Sequence, residues 1–259
     1  MTRKLIQLGP LAVDRISLPQ ALSRIEGLIR DRRGGFVVTP NVDHIVLAHQ
    51  LPRLREAYRR ASLSLADGQP LLWMARALGR PIPEKISGSD FIWTLAERAA
   101  ERGWRVFLYG GSEAVSAQAA AVLSARYPAL RIVGRDTSAW PSAQSQDVVE
   151  KIRTSGADIV IVALGCPKQE SWMLQHGGAI APALALGLGG SLDFVAGKVP
   201  RAPRWMSRAG LEWSYRLARE PRRMAHRYLV RDRKIVPLFL RMLADRALSS
   251  SRRSASVSV

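Results

Sequence analysis

The run DIVIVAL, residues 158–164, is apolar at six consecutive positions and leads straight into GCPKQE, residues 165–170. A strand with one wet face alternates apolar and polar side chains. A strand apolar at every position is covered on both faces, as in a parallel sheet flanked by helices. Working outward from this run, similar β-rich stretches predict strands at Gly35–Thr39, Leu63–Ala66, Arg105–Tyr109, Leu130–Val133 and Ala183–Leu188. Helix-period segments lie between them, at Leu18–Arg32, Val42–Ala61, Pro70–Leu78, Asp90–Arg102, Ala114–Tyr127 and Gln146–Thr154. This alternation predicts an α/β fold, a doubly wound, mostly parallel (Rossmann-like) sheet over residues 1–197. With 259 residues the chain is long enough for a sizeable core and one or two domains.

Open α/β sheets bind ligands beyond the carboxyl ends of their strands. The loops there are polar and glycine-rich: Thr39-Pro40-Asn41, Ala66-Asp67-Gly68-Gln69-Pro70, Gly110-Gly111-Ser112, Gly165–Glu170 and Gly187–Ser191. Any one of them is explained by turn chemistry. Five together favour a polar ligand site. GGSEAV, residues 110–115, is not the glycine fingerprint of a dinucleotide site, so a nicotinamide cofactor is not expected.

The charge is unevenly placed. There are 39 Lys+Arg against 21 Asp+Glu, a formal +18, and 33 of the basic residues are Arg. Residues 198–259 hold 16 basic and 4 acidic residues, a net +12; the first 197 carry only +6. Arginine's planar fork suits phosphate, so the surplus points to nucleic acid, an anionic membrane surface or a phosphorylated substrate. The lone Cys166 excludes an intrachain disulfide framework and fits a reducing cytosol. The N-terminus lacks a signal peptide's apolar stretch, and the longest uncharged run, Ser171–Leu192, reads poorly as a membrane span.

Beyond Val199 the reading is helical. Trp205, Ala209 and Trp213 fall at i, i+4, i+8; Pro221 ends one helix and opens another; Met224, Tyr228 and Leu229 share a face. Residues 198–248 thus read as a basic amphipathic appendage, packed on the sheet domain or laid on an anionic bilayer, with a disordered tail over 249–259. Trp stripes of this kind also suit a homo-oligomer interface.

Read together, the blocks TPNVDHIVLA (39–48), LADGQPLLWMARALG (65–79), SGSDF (87–91), FLYGG (107–111), ALGCPKQESWM (163–173), GLGGSLDFVAGKVPRAPRW (187–205) and GLEWSYRLAREPRRMAHRYL (210–229) resemble the WecG/TagA/CpsF glycosyltransferases of bacterial cell-surface polysaccharide synthesis. The resemblance spans residues 39–229. It implies transfer of a sugar from a nucleotide-sugar donor, most simply a UDP-sugar, to a polyprenyl-diphosphate-linked saccharide. The reaction would be inverting, at the cytoplasmic face of the membrane with peripheral attachment. The competing class, a nucleic-acid-binding protein using the Arg-rich helices, leaves the sheet without a task and shows no recognition motif.

Such a transfer needs a base for the acceptor hydroxyl and cationic stabilisation of the departing diphosphate. The resemblance places the catalytic aspartate at Asp67; read alone, Asp67 would more readily be the turn former before Gly68. Asp90 and Asp193 are weaker alternatives. Thr39 and Asn41 resemble the family's polar pair at the pocket wall, although Asn41 also suits a helix N-cap. Gln169 matches a family active-site position, and Glu170 beside it either contributes or complements the helix dipole. Gly110, Gly111, Gly189 and Gly190 offer backbone amides to the donor. Gly68, Gln69, Gly88, Asp90, Gly165, Pro167, Lys168 and Arg201 complete the expected binding surface. Arg216 and Arg223 match the family's EW-x₂-R-x₆-R pattern. Where a further arginine is usual, this chain has His226 followed by Arg227, which leaves both as candidates for phosphate contact. No Asp-x-Asp triplet occurs, and the histidines (44, 49, 176, 226) show no ligand spacing. No metal and no cofactor are therefore expected.

Overall fold

The computed structural model describes residues 3–142, 145–203, 205–206 and 210–257; the side chains of residues 145, 223 and 249–257 lie outside that description. An antiparallel hairpin, β1 (Leu5–Leu8) and β2 (Leu11–Asp14), opens the chain, with Leu8 opposite Leu11 around Gly9-Pro10. The main sheet comprises β3 (Phe36–Val38), β4 (Leu63–Ser64), β5 (Arg105–Gly110), β6 (Arg131–Asp136), β7 (Ile159–Ala163) and β8 (Leu184–Gly187). Its order is β4-β3-β8-β7-β5-β6, and every pairing is parallel.

The two-faced strands do what their composition requires. Phe107, Tyr109, Val160, Val162 and Ala185 face one core, which the hairpin and helices α2 (Val42–Gln50), α3 (Pro52–Arg60), α4 (Gln69–Ala77), α7 (Ser145–Ser155) and α8 (Lys168–His176) complete. Their neighbours Val106, Leu108, Ile159, Ile161, Leu184 and Leu186 face the other. That core is closed by α1 (Leu18–Arg30), α5 (Gly88–Arg102), α6 (Glu113–Arg126) and α9 (Ser191–Val195). Two apolar layers on opposite sides of one parallel sheet make the doubly wound α/β arrangement.

Several local expectations shift. The single helix expected over 42–61 is two: Leu51 is extended (φ −112°, ψ 95°) and Pro52 starts the second. The ring of a proline disfavours helical geometry in the residue before it, which breaks the run there. The Trp205–Trp213 stripe is not one helix either. Gly210 turns with φ +72°, and α10 (Glu212–Arg219) begins only after Leu211; Ala209 lies outside the described residues. Pro221 does open a new helix, α11 (Pro221–Ala225), which passes through a π-helical stretch, His226–Arg231, and a 3₁₀ turn, Asp232–Lys234, into α12 (Ile235–Val257). Because the π stretch widens the turn, Met224 is buried while Leu229 is 57% exposed, and the two do not share a buried face. The backbone of 249–257 continues α12, across the stretch whose sequence reads as a disordered tail.

The segment after residue 198 folds back onto the sheet unit. Ile235, Phe239 and Met242 pack against the first core. The Met242 sulfur accepts from the Gly9 amide at 2.9 Å, and Asp43 of α2 binds Arg231. This return places α10, α11 and the π-helical stretch over the carboxyl ends of β3, β4, β7 and β8.

Candidate active site

Two cavities lie beneath these helices and share a wall. One, of about 330 Å³, is lined by the strand-end loops, among them Thr39, Asn41, Asp67, Gly165, Gln169, Gly189 and Gly190, with Arg216, Arg227 and Arg231 from the C-terminal segment. The other, of about 390 Å³, is lined by Asp67, Gly68, Gln69, Pro70 and Lys85, and by Glu212, Trp213, Arg216, Arg227, Tyr228, Leu229 and Ile235. Asn41, Asp67, Arg216 and Arg227 border both.

Asp67 follows β4, where its amide donates to the Pro40 carbonyl at 2.8 Å and locks the β3 and β4 loops together. Gly68 then takes φ +130°, a region closed to side-chain-bearing residues, and turns the chain sharply into α4. Burial, reinforced by Glu212, raises the Asp67 carboxyl to about 6 against the opposing pull of Arg216, Lys85 and Arg227. It is therefore an ionised carboxylate at neutral pH that is still basic enough to accept a proton.

The neighbouring loops are fixed by side chains that the sequence singled out. The Thr39 hydroxyl donates to the Gly187 carbonyl at 2.8 Å, tying β3 to β8. Asn41 caps α2, its Oδ1 accepting from the His44 amide at 3.4 Å and from Arg227 Nη2 at 3.3 Å. Gln169, buried at the start of α8, accepts from the Gly189 amide at 3.0 Å and donates to Glu170 at 2.9 Å. Gly187 leaves room for it, since a Cβ there would sit 2.6 Å from Met173 and 3.1 Å from the Gln169 amide nitrogen. Replacing Gln169 by Ala is expected to release the Gly189–Gly190 loop and weaken donor binding about tenfold, read as a rise in donor KM with kcat little changed.

Three guanidinium groups converge on the first cavity, and two of them, those of Arg216 and Arg227, border the second as well. Arg216 pairs with Glu212 at 2.9 Å and stacks on Phe194 at 4.8 Å; Lys85 approaches Glu212 at 3.6 Å. Arg227 and Arg231 reach Asp43. The Arg216 Nε is buried without a hydrogen-bond partner, which suits an incoming anion, whereas the Nε atoms of Arg227 and Arg231 face Asp43.

The sequence-predicted residues divide accordingly. Thr39, Asn41, Asp67, Gly68, Gln69, Gly165, Gln169, Gly189, Gly190, Arg216 and Arg227 line one or both cavities. His226 is exposed, and Arg227 takes the position facing the cavities. The Arg223 side chain lies outside the described residues. Asp90 accepts from Ser87, forms an ion pair with Arg201 and borders neither of these two cavities. Gly88 and Gly110 are packing glycines, whose Cβ atoms would meet the Leu188 and Ala163 carbonyls at 2.9 and 2.7 Å. Gly111, Pro167 and Lys168 also border neither cavity, and Lys168 is exposed.

Glu170 is fully buried behind the first cavity, and burial raises its carboxyl. With His44 and Cys166 it brings three metal-type donors within 4.8 Å, a proximity that histidine spacing did not show. Tyr58 bonds His44 Nδ1 at 2.7 Å, and burial with Arg227 and Arg231 nearby lowers the imidazole to about 3. Sequence reasoning also missed Asp43, Lys85, Glu212, Trp213, Tyr228 and Arg231. The spacing of Arg227 and Arg231, one helical turn apart, was the available signal for the last.

The sequence profile described as "Glycosyl transferase WecG/TagA/CpsF family" matches residues 6–249. The chain belongs to this glycosyltransferase family. It is also 34% identical over 207 residues to an N-acetylglucosaminyldiphosphoundecaprenol N-acetyl-β-D-mannosaminyltransferase of Bacillus spizizenii, covering 80% of each chain. Six of the seven blocks that resemble the family, all but FLYGG (107–111), contribute residues to the lining of the two cavities.

Proposed function

We propose that this glycosyltransferase moves an N-acetylhexosamine from a UDP donor to a saccharide on a polyprenyl diphosphate, with inversion and without a metal. The observation that carries this reading is the position of Asp67 on the wall between two cavities, with Arg216 and Arg227 beside it. The cavity floored by Gly165, Gly189 and Gly190 suits the nucleotide diphosphate, whose phosphates would meet the three arginines that line it. The cavity walled by Trp213, Tyr228, Leu229 and Ile235 suits the acceptor. Its mouth adjoins exposed apolar side chains, Trp73, Leu211, Val230 and Val236, that favour contact with a bilayer. No helix among the described residues is long and apolar enough to cross a membrane, so the proposed attachment is peripheral.

In the step itself, the acceptor hydroxyl attacks the anomeric carbon as its proton passes to Asp67. The bond to the diphosphate oxygen breaks, and the charge left on UDP is met by Arg216, Arg227 and Arg231. The same arginines disfavour the nucleic-acid reading, because they turn inward onto the cavities instead of presenting a basic face.

The relative's acceptor and sugar make UDP-N-acetylmannosamine with a lipid-diphosphate N-acetylglucosamine the first pair to assay, within a panel of UDP-sugars read by product mass. A β-linked disaccharide at an unchanged rate in excess chelator is expected. No transfer from any UDP-sugar overturns the reading, and loss of activity on chelation overturns its metal-independent part.

A further inference from the structure

Asp43 is 5% exposed in the first turn of α2, two residues after Asn41. Its carboxylate meets the Arg231 Nε at 2.5 Å and accepts from Arg231 Nη2 at 2.8 Å, a partner 188 residues away in the chain. The Arg227 Nε lies 3.3 Å from the same carboxylate and 3.6 Å from Asp232, while Arg227 Nη2 donates to Asn41 at 3.3 Å. Arg227 is thus held by two carboxylates and by the α2 cap while it lines both cavities. Asp43 and Asp232 themselves lie close together, and burial with Asp43 beside it raises Asp232 to about 7. Removing one partner from a buried charge cluster leaves the others uncompensated, so the cluster fixes one arrangement of the C-terminal segment on α2.

We propose that Asp43 is a positioning residue for sugar transfer: it docks the C-terminal segment and aims Arg227 at the wall beside Asp67. The inference rests on the transferase reading for what Arg227 does, and on geometry alone for where Asp43 holds it. Asp43 lines the first cavity, but its carboxylate is taken up by Arg227 and Arg231, and it acts through the arginine. A guanidinium displaced by about 1 Å from a developing charge loses much of its effect, a loss of ~100-fold at the upper end.

Asp43→Asn keeps the volume and removes the charge. Its kcat should fall ~10- to 100-fold with donor KM within about threefold of the parent. In an Arg227→Ala background the same change should cost less than about threefold, because the residue it acts through is gone. Trypsin should cut within residues 222–234 at least ~10-fold faster in Asp43→Asn, with cleavage of the sheet unit unchanged. Where the amide variant does not fold, Asp43→Glu keeps the charge, shifts its reach by one methylene and should show the same non-additivity with Arg227→Ala. Parental turnover and parental protection in Asp43→Asn overturn the proposal, as does an equal loss of turnover in both backgrounds. Faster cleavage in Asp43→Asn, in a parent that transfers no sugar from any donor, keeps the docking role and overturns the transferase reading instead.

Discussion

Asp67→Asn is expected to lower kcat by ~10²- to 10⁴-fold while the protein remains folded, the range typical of losing a positioned general base. The amide preserves shape and can still accept a hydrogen bond from the acceptor hydroxyl, but it cannot take the proton. The parent should also show an acidic limb in kcat/KM: activity rises with pH through about 6, as the Asp67 carboxyl ionises, and is lost as pH falls below it. The variant should lack that limb. Glu212→Gln should move the limb to lower pH, because Glu212 raises the Asp67 carboxyl and its removal leaves Arg216 and Lys85 less neutralised. Stability should respond in the opposite sense to activity. A carboxyl raised from 3.8 to about 6 binds its proton more tightly folded than unfolded, so its ionisation destabilises the fold progressively between about pH 4 and 6. Asp67→Asn removes that cost, and its melting temperature above pH 6 should equal or exceed the parent's. Retained turnover, or an unchanged acidic limb in the variant, would remove Asp67 from the base role.

That trade between stability and activity separates the parts of this protein that composition dictates from those that docking dictates. The sheet was legible because DIVIVAL and its counterparts carry two buried faces in their own residue pattern; Ile159 and Val160 must go to opposite sides, and each finds a core. The strand-end loops were legible for the same reason, since a parallel sheet delivers them to one edge. The hairpin at Leu5–Asp14 was less so: each strand is four residues long, and only Gly9-Pro10 marks the turn. Phase was lost where the helix is not α. The family pattern has an arginine where this chain has His226 followed by Arg227, which left both eligible; in the π-helical stretch His226 is exposed and Arg227 lines the cavities. Asp43 had no readable role at all. An aspartate in the first turn of a helix is ordinary dipole chemistry until a segment from the far end of the chain brings two arginines to it.

Arg216→Ala and Arg227→Ala should each lower kcat by ~10²- to 10³-fold, the effect of deleting a donor aimed at charge that develops in the transition state. The charge in question is the one left on the diphosphate, so donor KM should move less than kcat. Lysine should restore only part of either loss: it keeps the charge, but it cannot stack on Phe194 as Arg216 does or span Asp43 and Asn41 as Arg227 does. The two positions should differ in stability. Arg216 is paired with Glu212 one turn away on its own helix, so its loss disturbs a local contact. Arg227 neutralises Asp43 and Asp232, and its removal should destabilise the fold by about 1–3 kcal/mol, the cost of leaving buried polar groups unpaired. That cost should grow as pH rises through about 7, where Asp232 ionises beside Asp43 with no Arg227 between them. An Arg227→Ala variant whose stability deficit is the same at pH 5.5 and 8.5 would show that Arg227 does not hold that carboxylate pair. One whose deficit widens with pH while its kcat stays parental would keep the docking role and take the arginine out of diphosphate stabilisation.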